Sequence, residues 1–464
     1  MIIRFSGAAR TVTGSQLILE INGEKLLLEC GLYQGKRDET YIRNRTFPYN
    51  PAKVDAAILS HAHIDHSGNL PNLIKGGFYG RIYTTPPTLQ LVDLMVQDSG
   101  HIQEQDVQYV NKKRLRKGEP PVEPLYTIEE ASRVKGFLQP VEYGEEFYPV
   151  KGVTARLVDA GHILGSAAVV LDIEEKGRKF RLWFSGDIGR LRLPLLKDPV
   201  LPEAADYLVM ECTYGDKPHR DPEAAYVEFR DVVRKTVRRG GKVIIPAFAV
   251  GRTQELVYDL NRMIAGGELP SVPVFVDSPL AVNATDIFRR FPRYYDDETH
   301  EFERTGRHQA LTFDQLTYTR SVEESKALNE RHEPMIIISA SGMAESGRIL
   351  HHLKNNIENP KNTVAIVSWQ APNTLGRRLA DRENVVRIYG ETYYRAAEVE
   401  TIGGLSAHAG QDMLLQYAQA SRASLKQIFL VHGEPLAANA FMQKLSEAGA
   451  APHGYPELGD FVEI

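Results

Sequence analysis

The sequence has few cysteines, no long hydrophobic run and no excess of positive charge. Cys30 and Cys212 are the only cysteines among 464 residues, which excludes a disulfide framework and favours an intracellular, cytoplasmic location. No apolar stretch approaches the roughly 20 residues of a membrane-spanning helix, so we expect no membrane partner. The formal net charge of −5 excludes a globally basic protein. A polyanion would have to meet a local basic patch.

Candidate metal ligands are concentrated in one short stretch. The apolar run at residues 56–59 predicts a short buried strand. It is followed almost at once by four ligand-type side chains, His61, His63, Asp65 and His66. Zn²⁺ is bound by a few imidazole nitrogens and carboxylate oxygens, and packing does not explain four of them within six residues. We therefore predict a metal site at the end of this strand.

The spacing of these ligands predicts two metal ions. His61 and His63 are two residues apart and can converge on one ion, whereas Asp65 and His66 are offset toward a neighbouring ion. Two ions about 3.5–4 Å apart clamp an in-line displacement at phosphorus. Six residues cannot complete two coordination spheres, so further ligands must come from elsewhere in the chain.

Several more acids and histidines stand at the ends of predicted strands. Glu29 closes an early apolar strand, His162 lies in a glycine-flanked turn, and Asp187 follows the run at residues 181–185. A carboxylate such as Asp187 can bridge two ions. Further along the chain, three more such residues lie at element ends: Glu211, His408 and His432.

Two other features offer groups that can bind phosphate, although each has a more common structural explanation. From about residue 209, strands alternate with helices, which predicts a mostly parallel sheet covered on both faces. At strand ends there, Ser278 and the small-residue loop 339–342 offer hydroxyl and N–H groups to phosphate. A predicted helix at residues 86–118 ends in the basic run 112–117, which is typical of a solvated helix end and could also meet a polyanion.

These motif positions follow one order along the chain: Glu29, residues 61–66, His162, Asp187, Glu211, His408 and His432. Over nearly the whole chain, this set resembles the metallo-β-lactamase superfamily and, within it, the β-CASP nucleases. That family includes the endonuclease subunit of the eukaryotic cleavage and polyadenylation factor and the bacterial ribonuclease J enzymes. We expect the compact bacterial form, without the additional domains that some relatives have.

The resemblance implies an α/β fold in three sequence segments. Residues 1–208 and 396–464 would form the metallo-β-lactamase domain, an αββα sandwich. Residues 209–395 would form the inserted β-CASP domain, an α/β domain with a parallel sheet flanked by helices.

The resemblance also implies a role for each motif residue. One Zn²⁺ would be held by His61, His63 and His162. The other would be held by Asp65, His66 and His432. Asp187 would bridge the two, and Mn²⁺ would accept the same ligand set.

The remaining motif residues imply catalytic and orienting roles. Glu211 and His408 would protonate the leaving group, and we count Asp65 among the catalytic residues as well. Glu29 stands where the family usually has Asp, and it would orient the metal-binding turn without binding metal. Changes at residues of this kind cost about 10–100-fold in metal affinity or activity.

We therefore expect a ribonuclease that hydrolyses single-stranded RNA during RNA processing or decay. DNA-processing relatives lack the histidine at position 432, so His432 favours RNA. Five residues are predicted to contact the RNA: Phe248, Arg252, Ser278, Ser339 and Ser341. The alternatives are a hydrolase of a small ester or thioester, a DNA nuclease and a catalytically silent scaffold. Internal cleavage, 5′ exonuclease action and a homodimer all remain open.

Overall fold

The computed structural model describes residues 1–35, 37–306 and 308–464, and the fold is stated for those residues. These residues form two compact units. Unit 1 comprises Met1–Leu191, Asp198–Pro218 and His408–Ile464. Unit 2 comprises Arg192–Lys197 and His219–Ala407. Among the described residues, no helix is both long enough and apolar enough to span a membrane.

Two sheets form the centre of unit 1. The strands of the first sheet are β1 (Ile2–Phe5), β2 (Leu17–Ile21), β3 (Glu24–Leu28), β4 (Ala56–Ile58), β5 (Arg81–Thr84), β6 (Leu138–Pro140) and β21 (Phe461–Glu463). They lie in the order β21-β1-β2-β3-β4-β5-β6. The β2–β3 hairpin turns at Asn22-Gly23, where both residues have positive φ, as the Asn-Gly pair favours.

The strands of the second sheet are β7 (Val153–Asp159), β8 (Ala167–Glu175), β9 (Arg178–Phe184), β10 (Tyr207–Glu211), β19 (Gln427–Val431) and β20 (His453–Gly454). They lie in the order β20-β19-β10-β9-β8-β7. Strands β9, β10 and β19 run parallel to one another. Their carboxyl ends therefore meet at one edge of the sheet.

Apolar side chains of both sheets pack into one core. Leu19 and Ile58 of the first sheet share it with Leu171 and Val209 of the second. The outer face of the second sheet packs in another cluster with side chains such as Leu414 of the C-terminal helices. The helices of unit 1 are α1 (Arg37–Arg45), α2 (Ile64–Ser67), α3 (Leu70–Lys75), α4 (Pro86–Arg116), α5 (Ile128–Ser132), α13 (Gln411–Gln419) and α14 (Pro435–Glu447).

Unit 2 is built on a parallel sheet. Its strands are β11 (Val243–Pro246), β12 (Val274–Val276), β13 (Leu316–Tyr318), β14 (Ile336–Ser339), β15 (Thr363–Ile366) and β18 (Glu398–Thr401), in the order β13-β12-β14-β11-β15-β18. A separate hairpin pairs β16 (Val385–Ile388) with β17 (Glu391–Tyr394).

The helices of unit 2 are α6 (Pro222–Arg238), α7 (Arg252–Ala265), α8 (Pro279–Phe288), α9 (Asp297–Thr305), α10 (Val322–Glu330), α11 (Ile349–Asn356) and α12 (Leu375–Ala380). Short 3₁₀ helices occur at Pro51–Lys53, Arg133–Gly136 and Pro292–Tyr294. The two-sheet sandwich with helices, interrupted in sequence by a parallel α/β unit, confirms the predicted fold class.

The predicted domain boundaries at 208/209 and 395/396 stay predictions. Strand β10 spans the first of them and pairs with β9 and β19 of unit 1. Strand β18 lies beyond the second and pairs with β15 of unit 2.

Candidate metal centre

The histidine-rich turn is tied to the end of strand β3 by backbone hydrogen bonds. The N–H of Cys30 donates to the carbonyl of His66 at 2.8 Å, and the N–H of Leu32 donates to that of Ile64 at 2.9 Å. Gly31 lies so close to this turn that a Cβ there would be 1.5 Å from the carbonyl oxygen of Asp65. A glycine after Glu29-Cys30 therefore allows the turn to pack directly against the strand end.

The other candidate ligands follow strands of the second sheet at one edge. His162 lies in the loop between β7 and β8, where its N–H donates to Ser166 Oγ at 2.9 Å. Asp187 follows β9, Glu211 ends β10, and His432 follows β19. Since these three strands are adjacent and parallel, the three side chains belong to neighbouring strand ends.

Four ligand-type atoms form the first cluster. Nδ1 of His63 lies 3.1 Å from Nε2 of His61 and 3.2 Å from Nε2 of His162. Oδ2 of Asp187 lies 3.4 Å from Nε2 of His61 and 3.5 Å from Nε2 of His162. Ligand atoms about 2.0–2.1 Å from a tetrahedral Zn²⁺ are about 3.3 Å from one another. The cluster therefore has the dimensions of one zinc site.

A second cluster lies beside the first. Nε2 of His66 lies 3.2 Å from Nε2 of His432, which is 3.4 Å from Oδ2 of Asp65. Oδ1 of Asp187 lies 3.3 Å from Nε2 of His66. The two carboxylate oxygens of Asp187 thus face different clusters, which is the arrangement of a bridging ligand.

The protonation states of the three histidines in the first cluster and of Asp187 fit metal binding. Burial lowers the pKa of His61 and His162 well below the usual value and that of His63 to about 4, so these imidazoles are neutral. Burial raises the pKa of Asp187, but the charges of His432 and His66 outweigh it and hold that pKa well below its usual range. Oδ1 of Asp187 is buried without a hydrogen-bond donor in the described protein. Neutral imidazole and ionised carboxylate are the forms that bind metal.

Glu29 connects ligands of both clusters. Its Oε1 accepts a hydrogen bond from the N–H of Ser60 at 2.6 Å, and its Oε2 lies 2.9 Å from Ser60 Oγ and 2.5 Å from His66 Nδ1. Ser60 Oγ in turn lies 2.9 Å from His61 Nδ1. With both histidines protonated at Nδ1, each Nε2 presents its lone pair to its cluster.

Sequence reasoning did not find the two hydroxyl groups that contact ligand imidazoles. Ser60 contacts His61, and Thr213 Oγ1 lies 3.1 Å from His432 Nδ1 while donating to the His432 carbonyl at 3.0 Å. Ser60 immediately precedes the histidine motif, which was a local signal. Thr213 is 219 residues from His432, so only the folded chain shows this contact.

Glu211 and His408 form a pair next to Asp187. His408 Nδ1 lies 3.1 and 3.2 Å from the two Glu211 oxygens, and the N–H of Ile188 donates to Glu211 Oε1 at 2.6 Å. Burial lowers the pKa of His408, but Glu211 and Asp187 outweigh it and raise the pKa to about 9. The imidazole therefore carries a proton at neutral pH.

The five predicted RNA contacts all lie in unit 2, and most already have partners within the protein. Arg252 is 6% exposed and pairs with Glu255, and Ser339 Oγ donates to the carbonyl of Asp277 at 2.7 Å. Ser278 caps helix α8, and Ser341 Oγ accepts from backbone N–H groups. Phe248 is 43% exposed. Their roles toward RNA stay predictions.

Comparison with known protein families gives three matches along the chain. Residues 10–141 match the metallo-beta-lactamase superfamily, and residues 253–379 match the Beta-Casp domain. Residues 393–454 match the Zn-dependent metallo-hydrolase RNA specificity domain.

Individual relatives match over most of the chain. Ribonuclease TTHA0252 of Thermus thermophilus is 38% identical over 92% of each chain. Transcription termination factor FttA of Pyrococcus horikoshii is 31% identical over 92% of this chain, which spans 66% of that protein. An RNase J-like protein of Methanocaldococcus jannaschii is 27% identical over 100% of both. A crystal structure of an Enterococcus faecalis protein of unknown function shares the fold, with a TM-score of 0.56 at 14% identity over 100% of this chain and 99% of that one.

A two-sheet metallo-hydrolase fold with a cluster of histidines and aspartates defines the class of this protein, and the chain belongs to the metallo-β-lactamase superfamily. Within that superfamily it belongs to the β-CASP family of metal-dependent RNA nucleases. The resemblance stated from the sequence is confirmed.

Proposed function

We propose that this protein hydrolyses phosphodiester bonds of single-stranded RNA at a centre of two zinc ions. The observation that supports this most strongly is the position of Asp187. Its two oxygens face two different clusters of imidazole nitrogens, at 3.3 Å from His66 and 3.4 Å from His61. A site for a single structural metal ion would not need a second group of ligands around the other oxygen of the same carboxylate.

The ligand sets follow from the two clusters. One ion would be held by His61, His63, His162 and Asp187. The other would be held by Asp65, His66, His432 and Asp187. When bound, zinc would supply Lewis-acid chemistry, since it acidifies water toward neutrality and offsets negative charge on the phosphate.

The chain's own residues provide the proton for the leaving group. Nδ1–H of His408 donates to Glu211, which is fixed by the N–H of Ile188. The proton on Nε2 is then available for the departing ribose oxygen, and the negative charge of Glu211 stabilises the imidazolium. Asp187 adds a second negative charge 3.9 Å from Nδ1.

Buried hydrogen bonds to the ligand side chains keep them in position. Glu29 fixes His66 directly and His61 through Ser60, while Thr213 fixes His432. Because these contacts occupy Nδ1 of His61, His66 and His432, these three imidazoles cannot rotate without losing a buried hydrogen bond, which costs about 1–3 kcal/mol.

The test is cleavage of an end-labelled single-stranded RNA before and after removal of metal with a chelator. We expect cleavage that stops on chelation and returns on addition of Zn²⁺. The product ladder separates internal cleavage from attack at the 5′ end. Cleavage that persists without metal contradicts the proposal. Cleavage that returns with Mn²⁺ but not with Zn²⁺ contradicts the choice of zinc as the ion. Hydrolysis of a small thioester without RNA cleavage would favour the ester hydrolase.

A further inference from the structure

The second half of helix α4 exposes one side of its surface. Ile102 and Tyr109 are 48% and 62% exposed and stand seven residues apart. Arg116 follows after another seven, so the three side chains lie on the same side of the helix. Lys112 and Lys113, on either side of that line, are exposed as well. This side of the helix faces solvent in unit 1.

The end of this helix has more positive charge than its neighbours neutralise. Arg114 pairs with Glu119 at 3.1 Å. No ion pair among the described residues involves the four other cations, Lys112, Lys113, Arg116 and Lys117. The negative end of the helix dipole favours cations in the last turn. Four unpaired cations within six residues nevertheless repel one another, in a chain whose formal net charge is −5. A polyanion would relieve this repulsion.

Aromatic rings lie among these charges. Nζ of Lys113 lies 4.3 Å from the ring centroid of Tyr109. A second such pair, Arg45 over Tyr41 at 4.4 Å, is attached to the same region because Arg45 donates to the carbonyl of Glu123. The segment around Glu123 is held to the helix by Asn111. Exposed rings beside cations are the surface on which single-stranded nucleic acid stacks its bases.

We propose that a surface on α4 binds single-stranded RNA at a distance from the metal centre; the proposal rests on the ribonuclease function proposed above. We call this surface the α4 patch, and it consists of Tyr109, Lys112, Lys113, Arg116 and Lys117. The cations contact phosphates and Tyr109 stacks on a base. The α4 patch thereby holds the part of a long RNA that lies outside the metal centre.

The helix fixes the distance between the α4 patch and the site. Its N-cap, Thr85, donates through Oγ1 to the carbonyl of Gly165 at 2.6 Å, and Gly165 belongs to the loop that carries His162. From Thr85 to Lys113 the helix rises about 42 Å. A stacked RNA strand covers that distance in roughly 12 nucleotides at about 3.4 Å each. Only substrates of such length reach both places.

Charge complementarity favours RNA over a second copy of this chain. In a two-fold symmetric dimer the same surface meets itself, and two copies of the α4 patch would bring eight unpaired cations together. Phosphate groups, in contrast, neutralise each cation and release counterions.

The test uses a variant in which four cations of the α4 patch are neutral, with the substitutions Lys112→Gln, Lys113→Gln, Arg116→Gln and Lys117→Gln. For an RNA of about 30 nucleotides, we expect the Kd to rise at least tenfold. The slope of log K against log salt should fall by about 0.7 for each phosphate that the variant no longer binds. For an RNA of about five nucleotides, which cannot reach the α4 patch, we expect an unchanged kcat/KM. Tyr109→Ala should weaken binding of the long RNA about fivefold or more.

A matched control removes the same number of charges from exposed positions of unit 1 outside the α4 patch, with the substitutions Lys53→Gln, Lys151→Gln, Lys176→Gln and Lys179→Gln. The control should bind long RNA as the unmodified protein does. The proposal is overturned if the patch variant and the control bind long RNA equally, or if the patch variant loses activity on short and long RNA alike. A change in sedimentation with unchanged RNA binding would also overturn it, in favour of a protein contact.

Failure of the proposed function gives a different result. In that case the unmodified protein cleaves neither RNA, whereas binding of long RNA to the chelated protein still shows whether the α4 patch is used.

Discussion

Oε2 of Glu29 lies 2.5 Å from Nδ1 of His66, and both side chains are almost completely buried. The same carboxylate reaches His61 through the hydroxyl group of Ser60. One acid thus orients a candidate ligand in each metal cluster. Glu29 makes all these contacts from a left-handed backbone conformation, with φ of 65°.

Glu29→Gln tests this orienting role. The amide keeps the shape of the side chain but loses the charge that accepts hydrogen bonds from Ser60 and from the imidazole of His66. We expect zinc affinity to fall by about 10–100-fold, with little change in the far-UV circular dichroism spectrum. Competition with a chromophoric chelator measures the affinity. Glu29→Asp, which keeps the charge, is the control and should lose less; unaltered affinity in Glu29→Gln would show that the carboxylate is not needed.

His408→Ala separates proton donation from metal binding. His408 contacts Glu211, and its nitrogen is 3.9 Å from Asp187, so its loss should leave the zinc content unchanged. Cleavage should fall by about 10²–10⁴-fold, the usual contribution of general acid–base catalysis. Elemental analysis and single-turnover cleavage on the same preparation give both values. Loss of a metal ion from His408→Ala would instead make His408 a ligand.

His432→Ala tests whether His432 binds a metal ion in the second cluster. Nε2 of His432 lies 3.2 Å from that of His66, and we expect its removal to weaken one of the two metal sites. Zinc content should fall toward one ion per chain after dialysis, since one set of ligands remains complete. A content equal to that of the unmodified protein would contradict a ligand role for His432.

Glu211→Gln should shift the pH dependence of cleavage. Glu211 contributes to the raised pKa of His408, which is about 9 without metal, and bound cations lower it. Because a general acid must be protonated, cleavage falls as pH rises through that pKa. Removal of the Glu211 charge lowers the pKa, so the fall should begin at a lower pH in Glu211→Gln. A pH–rate profile of kcat checks this, and an unmoved alkaline limb would mean that another group titrates.

Asp277 in unit 2 is predicted to support the fold and leave the chemistry unchanged. Burial raises its pKa, but hydrogen bonds from His352, Ser325 and Arg348 outweigh it and lower the pKa. Asp277→Asn leaves the Arg348 charge without its partner, which costs about 3 kcal/mol or more. The depressed pKa means that Asp277 stabilises the protein above about pH 3.9, the unfolded value, and that this is lost as pH falls through the folded pKa.

Thermal unfolding at pH 7 and at a pH well below 3.9 measures this difference. The melting temperature of Asp277→Asn should lie below that of the unmodified protein at pH 7, and the gap should narrow at the lower pH. Asp286→Asn, at a half-exposed pair with Arg320, is the control and should change little. Equal melting temperatures for all three proteins would show that the Asp277 cluster adds no stability.

The sequence predicted the fold class and the grouping of the site because both depend on local signals. Short apolar runs end at Glu29, His61, Asp187 and His432, and the carboxyl ends of neighbouring parallel strands meet at one edge. A histidine or an acidic residue at the end of each strand is therefore enough to predict that these side chains share one metal site. The order of these motifs along the chain then indicated the family to which the protein belongs.

What the sequence did not predict depends on contacts between distant residues. Thr213 contacts the imidazole of His432 only because β10 and β19 are neighbours in the sheet. Arg252 was expected to meet phosphate, but a helix places Glu255 three residues away, on the same side, and the two charges pair. Loop composition alone does not show that the hydroxyl of Ser339 is taken by the carbonyl of Asp277.

Anomalous diffraction at the zinc absorption edge, from crystals of the zinc-loaded protein, tests most directly whether two zinc ions share Asp187. We expect two peaks about 3.5–4 Å apart, one on either side of the Asp187 carboxylate. One of them should be surrounded by His61, His63 and His162, and the other by Asp65, His66 and His432. A single peak, or two peaks that do not share Asp187, would contradict a two-zinc centre bridged by this residue.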